Sequence, residues 1–253
     1  MSLENELKLK QLYQLLPDGV VAPSVWFIAN GYSSQLLYKY RKNGWLTKVS
    51  EGAYIRPGSI LEWQGAVLGL QHLAQLPFHI GGLTALNLSG FAHYLPMASE
   101  KTVMLYGEKT PPAWIKQIET VHLSFYKKPF WKISGLKKYP TSIRNWEITI
   151  SSPERAILEL LYLVGDKGIT FQFVAEIFEG LTTLSPRLLN ELLQECTNRK
   201  IRRLFLFFAN YYNFSWAKYI NQDISLGEGK LQIVKNGSYH KTYMITIPKE
   251  FNA

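Results

Sequence analysis

The sequence predicts an α+β fold, with a small helical segment closed by a hairpin ahead of a larger mixed α/β region. Three observations carry that reading. Apolar residues recur at helical spacing through residues 3–43. Two short β-like runs flank Ser50-Glu51-Gly52. Helical and β-rich stretches then alternate from residue 59 to a last pair of β-runs around Asn236-Gly237.

Leu9, Leu12, Tyr13 and Leu16 share one helical face over residues 3–16, and Pro17-Asp18-Gly19 ends that helix. Pro23 opens a second, short helix carrying Val25, Trp26 and Ile28, which Asn30-Gly31 stops. Ser33 or Ser34 caps a third helix running to about Asn43. Residues 45–49 and 53–56 pair as a tight hairpin, and Pro57-Gly58 breaks the chain. Three short helices followed by a hairpin is the order of a winged helix-turn-helix. The domain boundary is therefore expected at residue 58, giving domains 1–58 and 59–253, the second subdividing near residue 150 into a mixed part and a mainly helical part.

Residues 61–74 read as an apolar helix, and GGLTALNLSG, 81–90, as another starting after its glycine pair. Strands are expected over 101–106, 119–126 and 146–150, separated by Pro111-Pro112 and a Lys-rich stretch, 127–138. SSPERAILELLYLV then supplies a serine cap, a proline in the first turn and apolar residues at 157, 158, 160, 161 and 164. Further helices are expected over 171–179, 186–197 and 199–212. Asn236-Gly237 between two β-rich runs predicts a closing hairpin.

Composition bounds the function. A chain of 253 residues, 47% hydrophobic, can bury a full core, and 14% aromatics with 19% charge mark a globular protein. No apolar run approaches the roughly 20 residues of a membrane span, and the charged N-terminus lacks secretory features. The single Cys196 excludes an internal disulfide. A cytoplasmic protein without a membrane partner is expected. Net charge is +9, and residues 31–58 hold Lys39, Arg41, Lys42, Lys48 and Arg56 against Glu51 alone. That balance suits nucleic acid.

On the third helix, Leu36, Leu37 and Tyr40 fall within an arc of about 100° and should pack inward. The opposite face carries Gln35, Tyr38 and Lys42, flanked by Ser34 and Lys39, with Arg41 at the edge beside Leu37. Hydroxyl, amide and ammonium groups without a carboxylate are what a major groove requires. Gln bonds adenine, Ser or Tyr reaches phosphate or a base edge, and Lys neutralises phosphate. Lys48 and Arg56 of the hairpin could touch the DNA backbone beside the groove. A solvated face would use similar residues, but the helix-helix-helix-hairpin order favours DNA over it.

Catalytic signals are weak. The histidines, 72, 79, 93, 122 and 240, show no metal spacing, and Cys196 sits in no motif. GEGK, 227–230, lacks the length of a phosphate-binding loop. Asp18, Asp166 and Asp223 lie too far apart to suggest a paired-metal site. No enzyme activity, cofactor or metal is expected. Arg199, Lys200, Arg202 and Arg203 open an apolar helix in NRKIRRLFLFF, 198–208. They are either its solvated basic end or a surface that docks a partner.

Three phrases, GGLTALNLSGFAHYLP, SSPERAILELLY and IRRLFLFFANYY with the closing β-rich segment, resemble the AbiEi family of type IV antitoxins linked to abortive phage infection. The matched features are Thr84-Ala85-Leu86 with His93 following, Pro153-Glu154-Arg155-Ala156 and Arg203-Leu204-Phe205. The resemblance implies an N-terminal winged helix and a larger antitoxin domain. It further implies repression of the protein's own operon at double-stranded operator DNA, expected to contain inverted repeats, and opposition to a nucleotidyltransferase toxin with or without direct contact. The alternative is a winged-helix regulator whose larger domain senses a ligand.

Overall fold

A computed structural model of the chain describes residues 3–91, 102–127, 134–166, 168–221 and 223–251. Its contacts gather into two compact units, each described by itself below. His93 and the middle of the Lys-rich stretch, 128–133, lie outside the described residues.

The first unit begins α1 (Leu3–Leu15), β1 (Ala22–Pro23), α2 (Ser24–Ala29), α3 (Ser34–Lys42), β2 (Thr47–Ser50) and β3 (Ala53–Ile55), with sheet order β1-β3-β2. This is the expected winged helix plus one strand that has no sequence signal of its own. β1 exists only through the pairings Ala22–Tyr54 and Pro23–Ala53. Asn30 ends α2, and the Ser33 hydroxyl caps α3 by accepting from the Leu36 amide at 3.2 Å. Phe27 centres the small core, with the rings of Trp26, Tyr32 and Tyr54 at 5.1, 6.2 and 5.8 Å in edge-on contact. This differs from the expectation for α2, whose Val25 and Ile28 are exposed while Phe27 is buried. Only about one side chain per turn of a six-residue helix can face a core this small.

α4 (Trp63–Leu68) continues as a π-helical turn over Gly69–Leu73. It lies so close to the chain after α1 that a Cβ on Gly65 would stand 1.8 Å from the Gly19 carbonyl oxygen, and one on Gly69 1.9 Å from that of Val21. No side chain fits there. The compact unit is therefore larger than the segment 1–58. It takes in the described residues to Ile80, with β4 (His79–Ile80), and later β5 (Val103–Gly107), α6 (Ala113–Lys116), β6 (Leu123–Lys127) and most of β7 (Leu136–Pro140) and β8 (Glu147–Ser151). The sheet order is β6-β5-β4-β8-β7, with β5 parallel to β6 and antiparallel to β4. β4 and β7 are absent from the sequence expectation. β4 is two residues long, and β7 begins in the Lys-rich stretch with Leu136 and Tyr139 half-buried and no two-residue alternation to announce a strand.

The second unit is mainly helical: α5 (Gly82–Leu88), α7 (Pro153–Leu163), α8 (Phe171–Glu179), α9 (Pro186–Glu195) and α10 (Arg199–Tyr211), then β9 (Leu231–Gln232), β10 (Ser238–His240) and β11 (Ile245–Ile247). Ser152, Thr170, Ser185 and Asn198 cap α7 to α10 through their side chains. Phe178, Phe205, Phe208 and Trp216 form an aromatic core in which the Trp216 indole donates to the Leu181 carbonyl at 2.8 Å. Buried inside α7, Arg155 and Glu159 pair at 2.8 Å with both side chains fully covered. The same glutamate accepts from the Gly82 amide and the Ser151 hydroxyl, while Glu154 accepts from the Ser185 amide. The Pro-Glu-Arg-Ala phrase thus ties α7 to the starts of α5 and α9.

Asn236-Gly237 does not turn the predicted hairpin. β9 runs parallel to β11, and the antiparallel pair is β10 with β11, joined through residues 241–244. Gly237 is needed for another reason: a Cβ there would meet the Ile247 carbonyl oxygen at 2.3 Å.

Candidate nucleic-acid interface

α3 offers its outer face as a set of donors. Ser34, Gln35, Tyr38, Lys39, Arg41 and Lys42 are all exposed, Tyr38 at 58%, whereas Leu37 and Tyr40 are buried and Leu36 is half-buried. No carboxylate lies on the helix. Lys39, Arg41 and Lys42 fill its last turn, where cations also complement the carbonyl end of the helix dipole. The Arg41 guanidinium stacks over the Tyr38 ring, 5.4 Å from its centroid. Sequence periodicity put Arg41 at the edge of the face and left it out of the DNA-contacting set. Stacking on an exposed tyrosine holds its planar donor fork at the surface.

The hairpin residues behave differently from one another. Lys48 is ion-paired with Glu51, and this hydrogen bond, helped by the Lys48 charge, holds the Glu51 carboxyl below its ordinary value. Arg41 acts on Glu51 in the same direction. Arg56 is half-buried, its guanidinium 4.6 Å from the centroid of the Tyr13 ring. Tyr13 in turn donates to the Trp45 carbonyl at 2.9 Å. Arg56 therefore braces α1 against the hairpin, and its reach toward a DNA backbone is shorter than sequence suggests. The wing is fixed from below as well, since Ser50 donates to the Trp114 carbonyl at 2.7 Å. Arg144 caps the end of α1 through the Tyr13 and Gln14 carbonyls.

The other basic group splits in two. Arg199 is exposed and donates to the Glu228 carbonyl. Lys200 is half-covered, donating to the Tyr162 and Val164 carbonyls, and burial lowers its pKa against an opposing pull from Asp166. Arg202 reaches the Ser225 carbonyl at 3.0 Å. Arg203 corrects the sequence reading, because it is fully buried and not on a docking surface. Its guanidinium donates to the carbonyls of Leu226, Gly227, Glu228, Gly229 and Met244 at 2.6–3.2 Å. A helical position one turn inside an apolar run gave the signal, since Arg203 lies among buried Ile201, Leu204 and Phe207.

Among the described residues no group of three His, Cys, Asp or Glu side chains could hold a metal ion, and no helix is long and apolar enough to cross a membrane. His72 stacks on Trp146 at 4.9 Å, and His79 is buried against Tyr106. Cys196 is buried, which raises its thiol pKa.

A family model described as "Transcriptional regulator, AbiEi antitoxin N-terminal domain" matches residues 5–97, and one described as "Transcriptional regulator, AbiEi antitoxin, Type IV TA system" matches residues 100–248. A crystal structure of the RV2827C protein from Mycobacterium tuberculosis is similar in fold, with a TM-score of 0.56 at 13% identity, covering 89% of this chain and 85% of that one. No curated protein matches the sequence significantly.

Proposed function

The chain belongs to the AbiEi antitoxin family of type IV toxin–antitoxin transcriptional regulators, and from that premise we propose that it is a non-enzymatic, DNA-binding autorepressor that opposes a nucleotidyltransferase toxin. The observation that carries the DNA half is the outer face of α3, where exposed donors stand without a carboxylate in an α1-β1-α2-α3-β2-β3 frame. In such a frame the helix enters a major groove and the wing lies beside it. Ser34 and Gln35 sit at the helix start and Tyr38 at its middle, where base edges are read, with Lys39 beginning the basic last turn. Lys42 and Arg41 suit phosphates, with Lys48 joining them once Glu51 lets go. Arg56 acts mainly by holding α1 and the wing together. The DNA-reading part is residues 1–58, and the rest of the chain carries the antitoxin activity in the cytoplasm.

Arg199 and the outer parts of Lys200 and Arg202 are the portion of the basic group that a toxin or another anionic partner could reach. Direct toxin contact is not required for opposition of this kind. Two measurements test the reading together. The purified chain should retard a duplex from its own promoter, and co-expression should restore growth to cells carrying the neighbouring nucleotidyltransferase gene. Failure to bind that duplex at low salt, or to rescue growth, refutes the corresponding half. The second reading, a ligand-sensing regulator, rests on an open groove of about 480 Å³ lined by Thr182, Thr183, Ser215, Trp216, Lys218 and Tyr219. It would be favoured if a small metabolite released the chain from its promoter and no toxin gene responded.

A further inference from the structure

The terminal sheet has an outward row that the duplex-reading helix does not explain. Tyr239 on β10 pairs with Thr246 on β11, which pairs with Gln232 on β9. The alternate residues Ile245 and Ile247 are fully buried, so Tyr239, Thr246 and Gln232 share the solvent side. Tyr239 is 36% exposed, and the Lys230 ammonium lies 4.8 Å from its ring centroid. Lys235, Lys241 and Lys249 are exposed on the same segment, and no carboxylate occurs from Gly229 to Lys249. An ordinary solvated segment mixes both signs of charge, and this one does not. The acidic groups bordering it are Glu228 and Glu250.

The platform is also held firmly. Arg203 donates to the carbonyls of Gly229 and Met244, which lead into the two strands of the sheet's parallel pair at the same end, and Gly237 seats β10 against the Ile247 backbone. Thr246 accepts from the Ile233 amide and donates to the Val234 carbonyl, which fixes the chain after β9.

We propose that this face, built from Tyr239, Thr246 and Gln232, with Lys230 against the Tyr239 ring and the exposed Lys235 and Lys241 on the same segment, binds single-stranded nucleic acid independently of the α3 site. A sheet surface with an exposed aromatic ring stacks an unpaired base, and surrounding ammonium groups neutralise the strand's phosphates. A duplex has no free base face to offer Tyr239, so the site selects unpaired strands. The Thr246 hydroxyl is committed to the Ile233 amide and the Val234 carbonyl, which leaves the Gln232 amide and the Tyr239 hydroxyl as the polar groups of the row, so sequence preference is weak.

The test uses the full chain and the fluorescence anisotropy of short labelled oligouridylate and oligothymidylate, titrated across salt. The parent should bind both, with affinity falling as salt rises. Tyr239→Ala should weaken binding by about 5- to 100-fold without changing the salt slope. Tyr239→Phe, which keeps the ring, should bind like the parent. Lys230→Gln should reduce the magnitude of the slope by about 0.7. The α3 double variant Gln35→Ala, Lys42→Ala should lose promoter duplex and keep single strands. A preference for oligouridylate would assign the ligand as RNA through its 2′-hydroxyls; equal affinity would assign any unpaired strand. The proposal is overturned if the parent binds neither oligomer at about 50 mM salt. It is also overturned if Tyr239→Ala binds like the parent in a protein that melts normally, or if only the α3 variant loses single-strand binding.

Discussion

Replacing Arg203 with methionine removes a charge while keeping most of the side chain's volume, which isolates the carbonyl clamp from a simple cavity. The guanidinium serves five backbone carbonyls, four of them in the loop from Leu226 to Gly229. That loop is partly exposed, so several freed carbonyls can turn toward water. Two or so, Met244 among them, would stay dry at about 1–3 kcal/mol each. The net loss is expected near 3–5 kcal/mol, in the range for removing one partner of a buried charged network. For a chain of this length that corresponds to a fall in Tm of roughly 6–20 °C. Arg199→Gln is the control, since it gives up one exposed contact and should cost no more than about 0.5–1 kcal/mol. Calorimetry gives the melting shift, and hydrogen exchange locates it. Amides of residues 231–247 should lose protection first in Arg203→Met. A melting point within about 2 °C of the parent, or exchange that rises elsewhere while the terminal sheet stays protected, would show that the clamp does not hold that sheet.

Other expectations follow from the first unit. Gln35→Ala should leave the salt slope of promoter binding unchanged and cost roughly 1–3 kcal/mol on that duplex alone, whereas Leu37→Ala should unfold the small core at about 2–5 kcal/mol; affinity and thermal melts together separate the two. Glu51→Gln should free Lys48, raise affinity for random duplex and steepen the salt dependence by about one contact. Because the folded Glu51 carboxyl sits below its ordinary value, the pair is intact above the usual carboxylate range and is lost only as pH falls through the depressed value. The Glu51→Gln effect should therefore be flat from about pH 6 to 8, and a gain appearing only toward the acid end would refute the pairing. Gly65→Ala, whose Cβ would stand 1.8 Å from the Gly19 carbonyl, should separate α4 from the preceding chain and lower Tm by several degrees, with unchanged melting refuting that packing.

The order of the small helices, the serine cap of α3 and the donor face of that helix follow from the sequence by itself. Each depends on residues within a turn or two: Ser33 meets the Leu36 amide, Asn30 closes α2, and Gln35, Tyr38 and Lys42 recur with the helical period. α7, with its cap at Ser152 and its buried positions 157, 158, 160 and 161, and buried Val164 at its C-cap, is legible for the same reason. What the tertiary structure decided involves partners far apart in the chain. β1 is two residues that become a strand only by meeting β3. The polar pair Arg155–Glu159 carries no mark of burial in the sequence, and it is internal because backbone and side-chain partners far along the chain, among them Gly82, Ser134 and Ser151, bond to it. Arg203 looks like one member of a cationic stripe until the loop at 226–229 folds over it. Asn236-Gly237 has the local chemistry of a hairpin turn, but glycine is required there by the backbone of Ile247, and the strand before it pairs in parallel instead. Capping and periodicity are short-range and are written in neighbouring residues. Pairing register and the burial of a charge depend on which distant backbone arrives, and that is settled only when the chain closes on itself.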